Sequence, residues 1–111
     1  MFLPHLAAYC DARRAAGWKV VVATQIGEYL TSDSTNYPKF VTWRTTYDPT
    51  VRTWVGTHCD AVCDFAADAT MGPFTAANDN QGTLYLDVVH PSVNGQNLLA
   101  PIMGAVIAGL G

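Results

Sequence analysis

Apolar positions along the chain alternate between two spacings, and each change of spacing marks a change of element. Leu3, Leu6, Ala7 and Cys10 recur three or four residues apart, which predicts a first helix from about Pro4 to Ala16. Pro4 suits the first turn, and Arg13 and Arg14 suit the last turn, where cations complement the helix dipole. Gly17 supplies the stop. Lys19-Val-Val-Val-Ala-Thr24 follows as an unbroken β-branched run, the kind of strand buried on both faces in a parallel sheet. Helix then strand, ending in Gln25-Ile26-Gly27, is half of a βαβ unit.

The polar string from Thr31 to Asn36 reads as a loop. Phe40, Val41, Trp43, Tyr47, Val51, Trp54 and Val55 are then spaced for a helix from Pro38 to about Gly56. Pro49 divides that segment and predicts a kink or two shorter helices. Asp60-Ala-Val-Cys-Asp-Phe65 reads as a second short strand, with Ala66-Ala67-Asp68 leaving its end. Met71 to Gly82, rich in Gly, Pro, Asn and Asp, reads as a surface loop. Leu84-Tyr-Leu86 is a brief extended piece, and a last helix runs from Val93 to about Leu110 with a bend expected at Pro101. No repeat, heptad or linker interrupts residues 1–111, so they form one α/β domain.

Composition narrows the classes. Half of the 111 residues are apolar and only 14% are charged, against a usual charged share of about 25%. The chain therefore buries an unusual share of itself or presents an apolar face to something else. A net charge of −3 gives no basic footprint for nucleic acid. No apolar run is long enough to span a bilayer, the stretch from Leu98 to Gly111 being broken by Pro101, Gly104 and Gly109. The N-terminus lacks the basic region, apolar core and cleavage site of a signal peptide, which leaves localisation open. Cys10, Cys59 and Cys63 allow at most one disulfide.

Candidate chemistry concentrates in Asp87-Val-Val-His90-Pro91-Ser92-Val-Asn-Gly95. A tight turn at this strand-to-helix junction sets the Asp87 carboxylate to accept the proton on one nitrogen of His90, leaving the other nitrogen as a general base. Pro91 biases His90 toward an extended backbone and ends the preceding strand. Ser92 is placed to cap the final helix. The plainer alternative is a loop acid beside a surface histidine.

This string resembles the last sequence block of the SGNH (GDSL-type) hydrolases, in which Asp-x-x-His-Pro closes a Ser-His-Asp triad. By that resemblance His90 is the base and Asp87 its orienter. Ala15-Ala16-Gly17-Trp18-Lys19-Val20-Val21-Val22 looks like the step into that family's fourth strand, and Cys63-Asp64-Phe65-Ala66-Ala67-Asp68 looks like its fifth. The closing helix, including Leu99-Ala100-Pro101, is also similar. The implied fold is the C-terminal part of a three-layer α/β/α flavodoxin-like domain with a parallel sheet. The implied activity is hydrolysis of a small ester, acetylated sugar or lipid. The family's Gly-Asp-Ser nucleophile and Gly-x-Asn-Asp oxyanion donors do not occur here, and are expected on a segment upstream of Met1.

Local substitutes for the nucleophile are poor. Ser34 follows Asp33, but Ser32 replaces the glycine and the position follows the wrong strand. Ser92 is better explained as a cap, and Cys10 as a packed residue on the apolar stripe of the first helix. A zinc site built on His58, Cys59, Cys63 and Asp60 or Asp64 lacks convergent ligands, with only His5 and His90 in reserve. No metal or cofactor is expected. Asp64 and Asp68 read as strand-end acids that cap the adjoining loop, with a cleft-lining role as the other possibility. A non-enzymatic reading stands beside the hydrolase: a fragment that folds by self-association or by pairing with an N-terminal partner, because two strands leave a bare edge beside Val20 to Val22.

Overall fold

A computed structural model describes residues 2–27, 36–73, 84–86 and 90–111. Helix α1 spans Phe2–Ala15, strand β1 Val21–Ala23, helix α2 Asn36–Arg52, strand β2 Ala61–Cys63 and helix α3 Val93–Gly109, with a short 3₁₀ turn at Phe65–Ala67 between β2 and α3. The strands pair in parallel, Val21 with Ala61, Val22 with Val62 and Ala23 with Cys63. Helix α2 is the crossover between them, the connection that parallel neighbours require. Mixed helix and parallel sheet is the architecture the chain order predicts.

Local chemistry accounts for the boundaries. Gly17 takes φ +95°, a left-handed conformation costly for a side chain bearing Cβ. The amides of Gly17 and Trp18 donate to the carbonyls of Arg14 and Arg13 and close the last turn of α1. Helix α2 passes Pro49 as one element and stops at Arg52, short of the expected Gly56. The Trp54 carbonyl instead gathers the amides of Thr57, His58 and Cys59, and Gly56 at φ +83° completes a compact turn. Helix α3 likewise continues through Pro101, which has no N–H for the Asn97 carbonyl.

The core lies between the two N-terminal helices and one face of the sheet. Cys10 from α1, Val22 from β1, Tyr47 and Val51 from α2, and Trp54 and Cys59 after it form one buried cluster, flanked by Leu3, Leu6, Val20, Trp43 and Val62. Val22 and Val62 are register partners, so their side chains share that face. Phe2 stands edge-on to Trp43 with ring centroids 5.6 Å apart, tying the start of α1 to α2. Alternation turns Ala61 and Cys63 to the opposite face, and α3 approaches the sheet at β2. Met71 corrects the surface-loop expectation at its first position: it is 1% exposed, and Gly72 beside it is buried too. Residues 74–83, the rest of that segment, lie outside the described residues, as does Ser34.

Candidate functional site

The turn that carries His90 is held by backbone bonds on both sides. Tyr85 and Pro91 form an antiparallel bridge, the Leu86 amide donates to the His90 carbonyl at 2.8 Å, and the Ser92 amide donates to the Leu84 carbonyl at 2.9 Å. Pro91 itself pairs in that bridge and Ser92 is still extended, so extended backbone runs past Pro91, where the sequence places the end of the segment. Ser92 then takes an extended conformation and its Oγ accepts the Gly95 amide at 3.2 Å, capping α3 as expected. The His90 residue is exposed. Asp87 lies outside the described residues, so the carboxylate-imidazole pairing expected of it does too.

Two contacts anchor this turn to the strand ends. The buried Tyr85 hydroxyl donates to the Gly27 carbonyl at 2.7 Å, and the Gly27 amide donates to the Met71 carbonyl at 2.8 Å. Gly95 lets α3 start against the turn, because a Cβ there would sit 2.2 Å from the Leu84 carbonyl oxygen and 3.2 Å from Met71 Cε. Alanine is the better helix former by about 1 kcal/mol, but the clash is with backbone that the Ser92–Leu84 bond fixes. Overpacking of this kind costs about 1–3 kcal/mol or more. Gly95→Ala is therefore expected to lower the urea midpoint; a midpoint at or above wild type would contradict the packing described here.

Beyond the carboxyl ends of β1 and β2, where open α/β sheets place their ligand sites, a set of charges and hydroxyls converges. Arg52 donates to Asp64 through Nε at 2.9 Å and Nη2 at 2.8 Å. Thr24 Oγ1 donates to Asp64 Oδ1 at 2.9 Å and accepts the Ala66 amide at 2.9 Å. Asp48 is buried, accepting the Gln25 amide at 2.9 Å and Arg44 Nε at 3.0 Å. A cleft of about 280 Å³ opens beside them, lined in part by Arg44, Asp48, Arg52, Gly72 and Pro73. Pro73 is also the residue whose carbonyl lies against Gly27, so the cleft and the His90 turn belong to one end of the sheet. Asp68 caps the loop after the 3₁₀ turn, accepting the amides of Thr70 and Met71 at 3.1 and 2.7 Å.

The doubly bonded Arg52 holds the Asp64 carboxyl below the usual carboxylate range, opposed by burial and helped by Thr24. Asp60 is lowered as well, first by the Val20 amide at 2.7 Å and then by Arg14 and Lys19 against burial. Unfolded, both titrate near about 3.9. Groups whose folded value is depressed stabilise above that pH, and their contribution is lost as pH falls through the folded values. The urea midpoint is thus expected to hold from pH 7 to about pH 5 and to drop below about pH 4. Asp64→Asn should flatten part of that drop, and an unchanged acid profile in the variant would refute the assignment.

The remaining candidates are structural. Cys10, Cys59 and Cys63 are free and buried, and burial is the first cause that pushes each thiol up, away from nucleophilic thiolate. His58 Nδ1 lies 2.8 Å from Asp11 Oδ1, and its ring packs edge-on to Trp54. Among the described residues no three His, Cys, Asp or Glu side chains group to hold a metal ion. Sequence reading missed Thr24, Arg44, Asp48, Arg52 and the Asp11–His58 pair. Arg44 and Asp48 had a signal, their four-residue helical spacing, whereas Asp11 and His58 are 47 positions apart and had none. No known family model matches the chain, no curated protein matches its sequence, and no solved structure matches its fold.

Proposed function

We propose that the chain supplies the base and the orienting acid of a Ser-His-Asp triad in an ester hydrolase of the SGNH type, the nucleophile coming from a segment upstream of these residues. One nitrogen of His90 takes the proton from the serine hydroxyl as its oxygen attacks the ester carbonyl. The alcohol leaves with that proton, and water activated by the same imidazole hydrolyses the acyl-enzyme. Asp87 holds the ring in the required tautomer. The substrate is a small ester, acetylated sugar or lipid.

The observation that carries this reading is the position of His90. It stands one residue ahead of Pro91 and a capping Ser92, just before a helix that follows two parallel strands, on a turn that Tyr85 ties to the Gly27 carbonyl beyond β1. The order helix, strand, helix, strand, helix also suits the C-terminal part of a three-layer flavodoxin-like fold. Hydrolysis of p-nitrophenyl acetate by the polypeptide together with its Gly-Asp-Ser segment tests the proposal. Activity that survives intact in His90→Ala ends it.

A second reading rests on α3. No Asp, Glu, Lys or Arg follows Asp87, and in this 17-residue helix only Gly95 is buried, while Val93, Leu98 and Ile107 are exposed. From Leu98 to Gly109 the helix carries no polar side chain, and such a segment is normally covered. In this reading the chain is a catalytically inactive fragment that completes its core by self-association or against an N-terminal partner. Light scattering above the 12.0 kDa of one chain supports it, and a well-folded monomer contradicts it.

A further inference from the structure

Two thiols share the core, and the hydrolase reading uses neither. Cys10 on α1 is 2% exposed and Cys59, in the turn ahead of β2, is 0% exposed, and both belong to the buried cluster between α1, α2 and the sheet. The polar contacts over that cluster fix their relation. Arg14 donates through Nη1 to the Thr57 carbonyl at 2.7 Å and reaches Asp60 Oδ1 with Nε at 3.5 Å, so it spans the residues on both sides of Cys59. Asp11 Oδ1 lies 2.8 Å from Nδ1 of His58. Cys10 stands beside Asp11 in the chain and one helical turn before Arg14, on the same side of α1. Helix and turn are thus laid against each other with Cys10 and Cys59 on the inner side of the contact.

Burial and, after it, the Cys10 thiol push the Cys59 thiol up, a Coulomb effect that requires the two sulfurs to be near each other. Cys63 stands apart from them. Strand alternation turns it to the opposite face of the sheet, toward α3, with β2 itself in between. Of the pairs that three cysteines allow, only Cys10 and Cys59 lie on one side of the sheet. A bond between them closes a loop that contains β1 and all of α2, and long closed loops restrict the unfolded chain most.

We propose that Cys10 and Cys59 form a disulfide when the chain folds in the presence of a small-molecule disulfide such as glutathione disulfide, pinning α1 to the turn before β2, and that Cys63 stays a thiol. The Cys10 thiolate attacks one sulfur of glutathione disulfide and releases a first glutathione thiolate. The Cys59 thiolate then attacks the Cys10 sulfur of the mixed disulfide and releases the second. One S–S bond breaks in the oxidant and one forms in the protein, and both protons and both electrons leave with the two glutathione thiols. The exchange belongs to the folding chain, while the thiols still reach water. Once the core has closed, the burial that holds the thiols protonated also keeps reductants away from the bond.

The test is to refold the reduced chain in a mixture of reduced and oxidised glutathione, unfold it in denaturant with iodoacetamide and weigh it. One alkylated cysteine per chain is expected, against all three after refolding with dithiothreitol. Digestion with trypsin and with a protease that cuts before aspartate separates Cys59 from Cys63 at Asp60, and the linked fragments should carry Cys10 and Cys59. Cys63→Ala should keep the bond, and Cys10→Ala should leave two alkylated cysteines. The oxidised wild type should melt at least about 5 °C above the reduced chain, a difference absent in Cys10→Ala. Three alkylated cysteines or glutathione adducts after oxidative refolding overturn the proposal, as does a bond that includes Cys63 or joins two chains. An oxidised chain that melts no higher than the reduced one overturns it too.

Discussion

His90→Ala is expected to lower kcat/KM for p-nitrophenyl acetate by about 10⁴-fold, equivalent to about 5.4 kcal/mol of transition-state stabilisation. In the proposed triad the imidazole accepts the serine proton and returns it to the leaving alcohol, so its removal abolishes both transfers. The residue is exposed, so the same substitution should move folding stability by less than about 1 kcal/mol. That separation is the diagnostic feature of the prediction. Asp87→Asn should lose a comparable factor of about 10⁴ by favouring the wrong tautomer. Because triad members act as a unit, the double variant should be scarcely worse than either single one. Independent, multiplying losses of about 10-fold each would mean that the two residues do not share a proton path.

Trp54→Ala carries the largest expected effect on folding, about 3–5 kcal/mol. The residue is 6% exposed and joins the cluster that holds α1, α2 and β1 together. Its ring stacks edge-on to His58 with centroids 5.2 Å apart, and its carbonyl collects three amides of the turn leading into β2. The backbone bonds persist in alanine, but the indole volume does not, and the helices on this face cannot collapse inward without losing their contact with the sheet. A domain of this size has about 5–15 kcal/mol of stability in total. The variant should therefore lose most of its cooperative melting transition, followed by circular dichroism. A loss under about 1 kcal/mol would show that the cluster is not the core.

Helix α1, both strands and helix α3 were legible from the chain because the information is local. Apolar spacing, a β-branched run, Gly17 beyond the last turn and Ser92 ahead of α3 act within a few residues of themselves. The end of α2 was less so. Trp54 and Val55 continue the helical spacing, yet the Trp54 carbonyl is satisfied by a turn that depends on Cys59 reaching the core. Met71 was misread for a related reason: its neighbours are turn formers, while its buried side chain lies against the start of α3, where a Cβ on Gly95 would come within 3.2 Å of it. Of the strand-end cluster, Asp64 and Asp68 were visible as acids leaving a strand, but their partners were not.

What the sequence determines by itself is the succession of elements, the parallel pairing that a helical crossover compels, and a His-Pro-Ser step at the threshold of the last helix. Each follows from backbone preferences that one or two turns of chain can express. What only the tertiary structure decides is which distant groups meet: Arg52 with Asp64, Tyr85 with Gly27, Asp11 with His58, and Cys10 with Cys59 in one core cluster. Those meetings depend on how the helices lie against the sheet, and that is set by the packing of the whole core.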